Sequence, residues 1–113
     1  MPAKSLSGRG KLRPLGVSMP IPEAIAAKRL LQFTYDGYPR TVEPHTYGID
    51  ANGRLCLVAF QIAGGSRSGE YDGWKTFLGS QMRNVAILET HFSAPRPEYR
   101  RNDGAFVSII SQL

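Results

Sequence analysis

The chain has 113 residues, of which 42% are apolar and 20% charged, with a net charge of +5 and a single cysteine. This length fits one domain with one core and leaves no room for a second, catalytic domain. The composition excludes a disulfide framework, and no apolar run approaches the roughly 18 residues that span a bilayer, so we expect a cytoplasmic protein without a membrane partner.

The positive charge is concentrated near the N-terminus. Residues 1–20 contain Lys4, Arg9, Lys11 and Arg13, no acidic residue, and many Gly, Ser and Pro residues. We expect this segment to be a basic flexible arm, which is either a solubilising tail or a grip for phosphate groups. No apolar segment of the signal-peptide type follows it.

A short helix is predicted over residues 22–29. Pro22 suits the first turn of a helix, because its missing N–H is not needed there. Glu23 lies near the positive N-terminal end of this helix, and Lys28 and Arg29 lie near its negative C-terminal end.

Strands are predicted after the helix. Apolar and polar residues alternate over residues 31–35, which is typical of a half-buried strand. Residues 40–49 form a second predicted strand in which Pro44 requires an edge position or a bulge. The third predicted strand, residues 54–61, is apolar on both faces and is expected to be the most deeply buried. Turn signals at 36–37 and 52–53 separate these three strands.

Two further strands are predicted over residues 74–78 and 85–90, after a Gly- and Ser-rich loop over residues 64–73. Several short strands separated by turns favour a small barrel over residues 21–92. Residues 93–113 form a C-terminal extension.

The end of this extension has an ambiguous pattern. Phe106, Ile109, Ile110 and Leu113 have helical spacing, which favours a short helix. Their β-branched members also permit a strand.

Residues 33–61, FTYDGYPRTVEPHTYGIDANGRLCLVAFQ, resemble the first half of a WYL domain. Tyr35, Arg40, Pro44 and His45 match the family's order of a strand ending in Tyr, an Arg and a Pro-His step. The family's Trp-Tyr-Leu triplet reads Leu-Cys-Leu at 55–57, so only its leucine remains. The stretch 77–82 lacks the two arginines and the aspartate of the family's second half. The resemblance covers about residues 22–92.

The resemblance implies a mainly β fold: a small SH3/Sm-like barrel of five strands preceded by a short α-helix. It also implies a bacterial, non-enzymatic regulatory module, often in transcription control, that senses a small ligand such as a nucleotide or binds single-stranded nucleic acid. Many relatives carry a helix-turn-helix domain ahead of the barrel. Residues 1–20 are too few for one, so we expect a stand-alone WYL-like protein.

Tyr35 and Arg40 are the leading candidates for ligand binding. On neighbouring paired strands they would present an aromatic face and a guanidinium group together, which suits phosphate binding with base stacking. The alternative is an arginine that caps a turn or pairs with Glu43 or Asp36.

Four further residues are candidates for the same ligand or nucleic-acid site. His45 shares a strand face with Tyr47 and is either a proton switch and ligand contact or a buried histidine bonded to backbone. Arg67 is either a contact on a loop that closes over a ligand or part of a plain flexible loop. Lys75 either replaces the missing arginines or is a solvated lysine.

The arginines around Tyr99, at positions 96, 100 and 101, form either a nucleic-acid contact or a plain surface loop. Cys56 is expected to be a core residue rather than a nucleophile. One cysteine and two histidines provide no zinc shell, so we expect no metal, no cofactor and no catalytic residue.

The runner-up function is a structural subunit that pairs with another protein or with itself through a sheet edge. We predict a homodimer.

Overall fold

The computed structural model describes residues 20–70 and 72–113. The predicted basic arm, residues 1–20, lies outside this part of the chain except for its last residue. Among the described residues, no helix is both long enough and apolar enough to cross a membrane.

The described chain is mainly β, as predicted. In chain order its elements are helix α1 (Pro20–Ala27), strands β1 (Arg29–Tyr35), β2 (Tyr38–Asp50), β3 (Leu55–Gly64) and β4 (Gly73–Leu78), a 3-10 helix (Gly79–Gln81), and strands β5 (Arg83–His91) and β6 (Phe106–Gln112). All six strands belong to one antiparallel sheet, in the order β4-β3-β2-β1-β5 with β6 paired to β2. Within the described residues no ladder joins β4 to β5, so the sheet is not closed by hydrogen bonds.

Helix α1 covers the core with one face. Ile21, Ala24 and Ile25 are buried at the spacing that places residues on one side of a helix. Lys28 follows the helix with a φ of 54°, and its N–H donates to the Ile25 carbonyl. The helix therefore begins and ends two residues earlier than predicted.

Strand β2 is the centre of the sheet and pairs with three other strands. Residues 38–42 pair with β1 and residues 46–50 pair with β6, while β3 lies along the opposite edge. The ladder to β3 skips His45, so a bulge lies beside Pro44 where neither β1 nor β6 is paired. The missing N–H of Pro44 therefore costs no ladder bond, and the predicted bulge is confirmed.

The prediction that the third strand is the most deeply buried is wrong. Residues 42–48 of β2 form an unbroken buried run, whereas β3 ends in three exposed residues, 62–64. Both strands have partners on both edges, but β2 also contains the bulge at His45, which turns an additional residue inward.

The C-terminal run forms strand β6, and the prediction of a helix there is wrong. Its ladder with β2 skips Val107 and Ile110, which are therefore the additional residues of two bulges. Each bulge lengthens the repeat of inward residues from two to three, so Phe106 and Ile109 both face inward at a spacing that resembles a helix. The extension beyond residue 92 is thus part of the sheet.

Candidate functional site

Arg40 lies in β2 opposite Phe33 of β1 and Gly64 of β3, and only 3% of its surface is exposed. Its guanidinium carbon is 5.5 Å from the ring centroid of Tyr35 and 5.5 Å from that of Phe77. Both distances are within the range of a cation–π contact. The predicted pairing of a guanidinium group with an aromatic ring is therefore present.

The hydrogen bonds of Arg40 use only neutral partners. Nη2 donates to the Tyr35 carbonyl over 3.1 Å, and Nη1 donates to Oε1 of Gln61 over 3.2 Å. Nε is buried and has no hydrogen-bond partner among the described residues. The alternative that Arg40 caps a turn is thus partly correct, because the carbonyl that it binds immediately precedes Asp36.

No carboxylate of the described chain forms a salt bridge with Arg40, which differs from the predicted alternative of pairing with Glu43 or Asp36. An arginine keeps its charge in proteins, and a buried charge is costly unless it is paired. Among the described residues, Arg40 is therefore a buried cation without a carboxylate partner, and its Nε–H has no acceptor.

Arg40 faces a cavity of about 320 Å³ between the β1–β2 turn, the loop after β3, and β4. We name this cavity the Arg40 pocket, and its lining residues are Tyr35, Asp36, Arg40, Ser66, Arg67, Ser68, Lys75, Thr76 and Phe77. Four of the six predicted site residues, Tyr35, Arg40, Arg67 and Lys75, line it. The structure thus brings together residues that are up to 40 positions apart in the sequence.

The charge of the Arg40 pocket is positive, because three basic side chains line it against one acidic side chain, Asp36. Asp36 is 3.7 Å from Arg67, whose side chain is largely exposed. Lys75 donates to the Glu70 carbonyl, and the hydroxyls of Ser66 and Ser68 bond to each other. These donors converge on one cavity and can form charge-assisted bonds to a phosphate or carboxylate group.

Gln61 is a site residue that the sequence pattern does not single out. Its Oε1 accepts from Arg40, and its Nε2 donates to the carbonyls of Ala63 and Gly65 over 3.2 and 3.0 Å. Gln61 therefore fixes Arg40 relative to the loop that forms the opposite wall. The available signal was a glutamine at the end of an otherwise apolar run.

Tyr35 is held at the pocket by two contacts with β4. Its hydroxyl accepts from the Leu78 N–H over 3.0 Å, and its ring meets that of Phe77 edge to face at 4.9 Å. The ring is therefore fixed in position before any ligand binds.

His45 is completely buried and does not line the Arg40 pocket. Its Nε2 accepts from the Arg96 backbone N–H over 3.1 Å, so Nδ1 carries the proton and donates to the Glu43 carbonyl over 2.8 Å. Burial lowers the pKa of His45, with the nearby Glu43 opposing the shift. The predicted alternative of a buried histidine bonded to backbone is confirmed, and neither ring nitrogen is free for a ligand.

A cluster of rings and charges surrounds this histidine. We name it the His45 cluster, and it consists of Glu43, His45, Phe60, Trp74, Phe92, Arg96 and Tyr99. Arg96 binds both carboxylate oxygens of Glu43, at 2.7 and 3.1 Å, and lies 4.3 Å from the Phe60 ring. The Glu43 carboxylate raises the pKa of Arg96. The cluster fastens the segment around Tyr99 to the sheet, so this segment is more than a plain surface loop.

Tyr47 belongs to the hydrophobic core and is only 3% exposed. Burial raises the pKa of its hydroxyl. Tyr47 and His45 are therefore the two predicted site residues that the structure does not bring to the Arg40 pocket.

A second and larger cavity adjoins the Arg40 pocket. It has a volume of about 720 Å³, and we name it the Trp74 cleft. Its lining residues are Thr46, Val58, Trp74, Lys75, Thr76, Glu98, Tyr99, Arg100 and Asp103. Lys75 and Thr76 line both cavities, so the two lie next to each other along β4.

Cys56 is buried in β3, and burial together with its contact to Asp50 raises the pKa of the thiol. This environment disfavours the reactive thiolate, in line with a core role. The described residues contain no group of three or more side chains that would suit a metal ion.

Comparison with protein-family models, with curated proteins and with solved structures finds no match for this chain.

Proposed function

We propose that this chain is a regulatory binding module whose Arg40 pocket holds a phosphate group, carried either by a small ligand such as a nucleotide or by single-stranded nucleic acid. The observation that supports the proposal most strongly is the buried guanidinium group of Arg40, which has no carboxylate partner in the described chain and an unfilled Nε–H. An anion in the Arg40 pocket would supply the negative charge that no described carboxylate supplies.

Phosphate fits this pocket better than a single carboxylate does. Three basic side chains and two serine hydroxyls line the pocket, and phosphate has enough acceptor oxygens to bind several donors at once. The planar donors of arginine also suit phosphate geometry. The pocket volume of about 320 Å³ accommodates a phosphate group with part of the molecule that carries it.

We also propose that this chain is a WYL-like protein and that its sheet curls into an SH3/Sm-like barrel. Two observations support a curled sheet. The ring centroids of Phe33 in β1 and Phe77 in β4 are 4.9 Å apart, although two strands separate β1 from β4 in the sheet order. The backbone N–H of Leu78 in β4 also donates to the Tyr35 hydroxyl of β1. The three-residue 3-10 helix between β4 and β5 brings the two ends of the sheet order close together along the chain. We propose that the corresponding biological role is bacterial transcription control.

The test is calorimetric titration of inorganic pyrophosphate into the parent chain and into Arg40→Met. Loss of a charge-assisted contact of this kind should weaken binding about tenfold or more. The matched control is Arg54→Gln, because Arg54 lies beyond the far end of β2 and pairs with Asp50. Equal affinities of Arg40→Met and the parent would contradict the proposal.

The two sources of phosphate are separated by fluorescence anisotropy with labelled single-stranded DNA and RNA. Nucleic-acid binding should weaken steeply as salt is raised, because counterions are released on binding. The control is a full-length variant in which the four basic residues of the arm, at positions 4, 9, 11 and 13, are replaced by Gln. Binding that depends on the arm and not on Arg40 would exclude the pocket as the nucleic-acid site.

A homodimer is the second candidate, and exposed apolar side chains on β6 favour it. Val107 and Ile110 are 70% and 51% exposed. Their bulges oppose strand pairing along the β6 edge, so the contact would use side chains rather than a continued sheet. Sedimentation velocity should detect dimers at tens of micromolar, and Val107→Ser should shift the protein to monomer. A parent chain that remains monomeric there excludes this candidate.

A further inference from the structure

The Trp74 cleft has a different charge balance from the Arg40 pocket. Lys75 and Arg100 line the cleft together with Glu98 and Asp103, so its basic and acidic side chains are equal in number. The Arg40 pocket has three basic residues against one acidic residue. A phosphate group therefore prefers the Arg40 pocket, and the cleft is suited to the uncharged part of a ligand.

The walls of the cleft carry two aromatic side chains. Trp74 comes from β4, and Tyr99 comes from the segment that connects β5 to β6. Aromatic side chains provide the surface on which nucleic-acid bases stack, whatever the base. The carboxylates of Glu98 and Asp103 are acceptors for the hydroxyl groups of a sugar or the amino group of a base.

The Tyr99 wall is fixed to the sheet at several points. The Trp74 indole N–H donates to the Pro97 carbonyl over 3.1 Å, and the Tyr99 hydroxyl donates to the Leu113 carbonyl over 2.8 Å. The backbone N–H of Arg96 donates to His45. The cleft is therefore formed in advance, which reduces the entropy lost when a ligand binds.

We propose that the Trp74 cleft is the base-binding subsite for the ligand whose phosphate lies in the Arg40 pocket. This inference rests on the proposed function, and it assigns the ligand to the nucleotide class. Lys75 and Thr76 form the shared wall between phosphate and base, because they line both cavities. A nucleotide unit fits this arrangement, either as a free molecule or as one unit of a single strand.

Trp74 is the single tryptophan of the chain, so its fluorescence reports directly on the cleft. We would titrate the full chain with adenosine diphosphate, inorganic pyrophosphate and adenosine. Adenosine diphosphate should change the Trp74 emission and bind about tenfold more tightly than pyrophosphate. Pyrophosphate should bind without altering the emission, because Trp74 does not line the Arg40 pocket.

Calorimetry with two variants tests the same assignment. Trp74→Leu should lower the affinity for adenosine diphosphate to that for pyrophosphate and leave pyrophosphate binding unchanged, whereas Trp74→Phe should restore most of the difference. If Trp74→Leu does not fold, as checked by circular dichroism, the fluorescence titration of the parent chain still decides.

The outcomes separate this inference from the proposed function. If pyrophosphate and adenosine diphosphate bind with equal affinity and neither changes the Trp74 emission, the base subsite is excluded and the phosphate pocket remains. If neither ligand binds, both proposals are overturned. If both subsites are supported, a single-stranded oligonucleotide that binds more tightly than adenosine diphosphate identifies nucleic acid as the source, and equal or weaker binding identifies a free nucleotide.

Discussion

The Arg40 pocket and the His45 cluster each hold a guanidinium group near β2, but the surroundings of the two groups are opposite. In the cluster, the Glu43 carboxylate binds Arg96 through two hydrogen bonds. In the pocket, Arg40 is more deeply buried, yet within the described part of the chain it binds only a carbonyl and an amide oxygen. The deeper charge is therefore the less compensated one.

This difference separates a structural use of arginine from a use in binding. A paired guanidinium group is satisfied within the fold and fastens one segment to another. A buried cation without a carboxylate carries a desolvation cost that an external anion can offset. We therefore expect changes at Glu43, His45 or Arg96 to alter the stability of the fold and changes at the Arg40 pocket to alter ligand affinity.

The largest expected effect is that of His45→Ala. The substitution removes a buried ring that contacts three aromatic rings, and it removes two hydrogen bonds to the backbone. We therefore expect the free energy of unfolding to fall by about 3 kcal/mol. Chemical denaturation measures this change. His91→Ala is the control, because His91 is exposed and should cost less than about 0.5 kcal/mol. Similar losses of stability in the two variants would contradict a structural role for the His45 cluster.

Gly64 provides the next effect, because it lies opposite Arg40 at the end of β3. It has a φ of +104°, and a Cβ there would lie 2.0 Å from the Pro39 carbonyl oxygen and 3.1 Å from Cα of Arg40. Gly64→Ala should lower the free energy of unfolding by about 2 kcal/mol through strain and steric overlap. It should also weaken pyrophosphate binding, because the alanine pushes β2 away from the loop.

Gly69→Ala is the matched control for that substitution. Gly69 has a φ of +85° in the loop that follows β3, but a Cβ there would meet no atom within 4 Å. Only the conformational strain remains, so we expect a loss of about 1 kcal/mol and unchanged pyrophosphate affinity. Unchanged pyrophosphate binding by Gly64→Ala would mean that the close approach of β2 and the loop does not shape the pocket.

Local sequence signals predicted the turns and the Tyr35–Arg40 pair of the site. The Asp36-Gly37 and Asn52-Gly53 signals both correspond to turns with positive φ, at Asp36, Gly37 and Gly53. Local chemistry decides these positions, because few residues tolerate such φ values. The Arg40–Tyr35 pair followed from the pairing of two neighbouring strands, which a short turn makes a local feature of the sequence.

Non-local pairing explains what the sequence did not reveal. Strand β6 forms because β1 leaves the second half of one β2 edge unpaired, and no local pattern in residues 106–112 encodes that vacancy. The sequence left His45 open between a ligand contact and a buried histidine, because the bulge that turns it inward depends on register with β3. The partnership of Glu43 with Arg96 spans 53 positions, so spacing alone could not identify it.

The third prediction concerns pH and again separates the two regions. Burial places the pKa of His45 in the folded state below its ordinary value of 6.5. Between those two values the unfolded chain binds more protons, so stability falls as the pH falls. The contribution of neutral His45 is complete above pH 6.5 and is lost progressively below it. Chemical denaturation at several pH values across this range measures the loss.

His45→Gln tests the source of this pH dependence. The variant should be less stable than the parent chain above pH 6.5, and its stability should change less as the pH is lowered below that value. His91→Gln keeps the buried histidine and should retain the parental pH dependence. If His91→Gln flattens the profile instead, the His45 cluster is not the part of the fold that responds to acid.

The smallest expected effect comes from Asp36, the one acidic side chain that lines the Arg40 pocket. Asp36→Asn keeps the shape of the side chain and removes a negative charge 3.7 Å from Arg67. Exposed pairs of this kind contribute at most about 1 kcal/mol, so pyrophosphate affinity should rise only about threefold, and less at high salt. Asp72→Asn, an exposed loop substitution that does not line the pocket, should leave the affinity unchanged. A lower affinity in Asp36→Asn would show that the carboxylate positions Arg67 for binding rather than opposing the anion. The pocket would then resemble the His45 cluster in using a carboxylate to place an arginine, and the distinction between the two regions would rest on Arg40 alone.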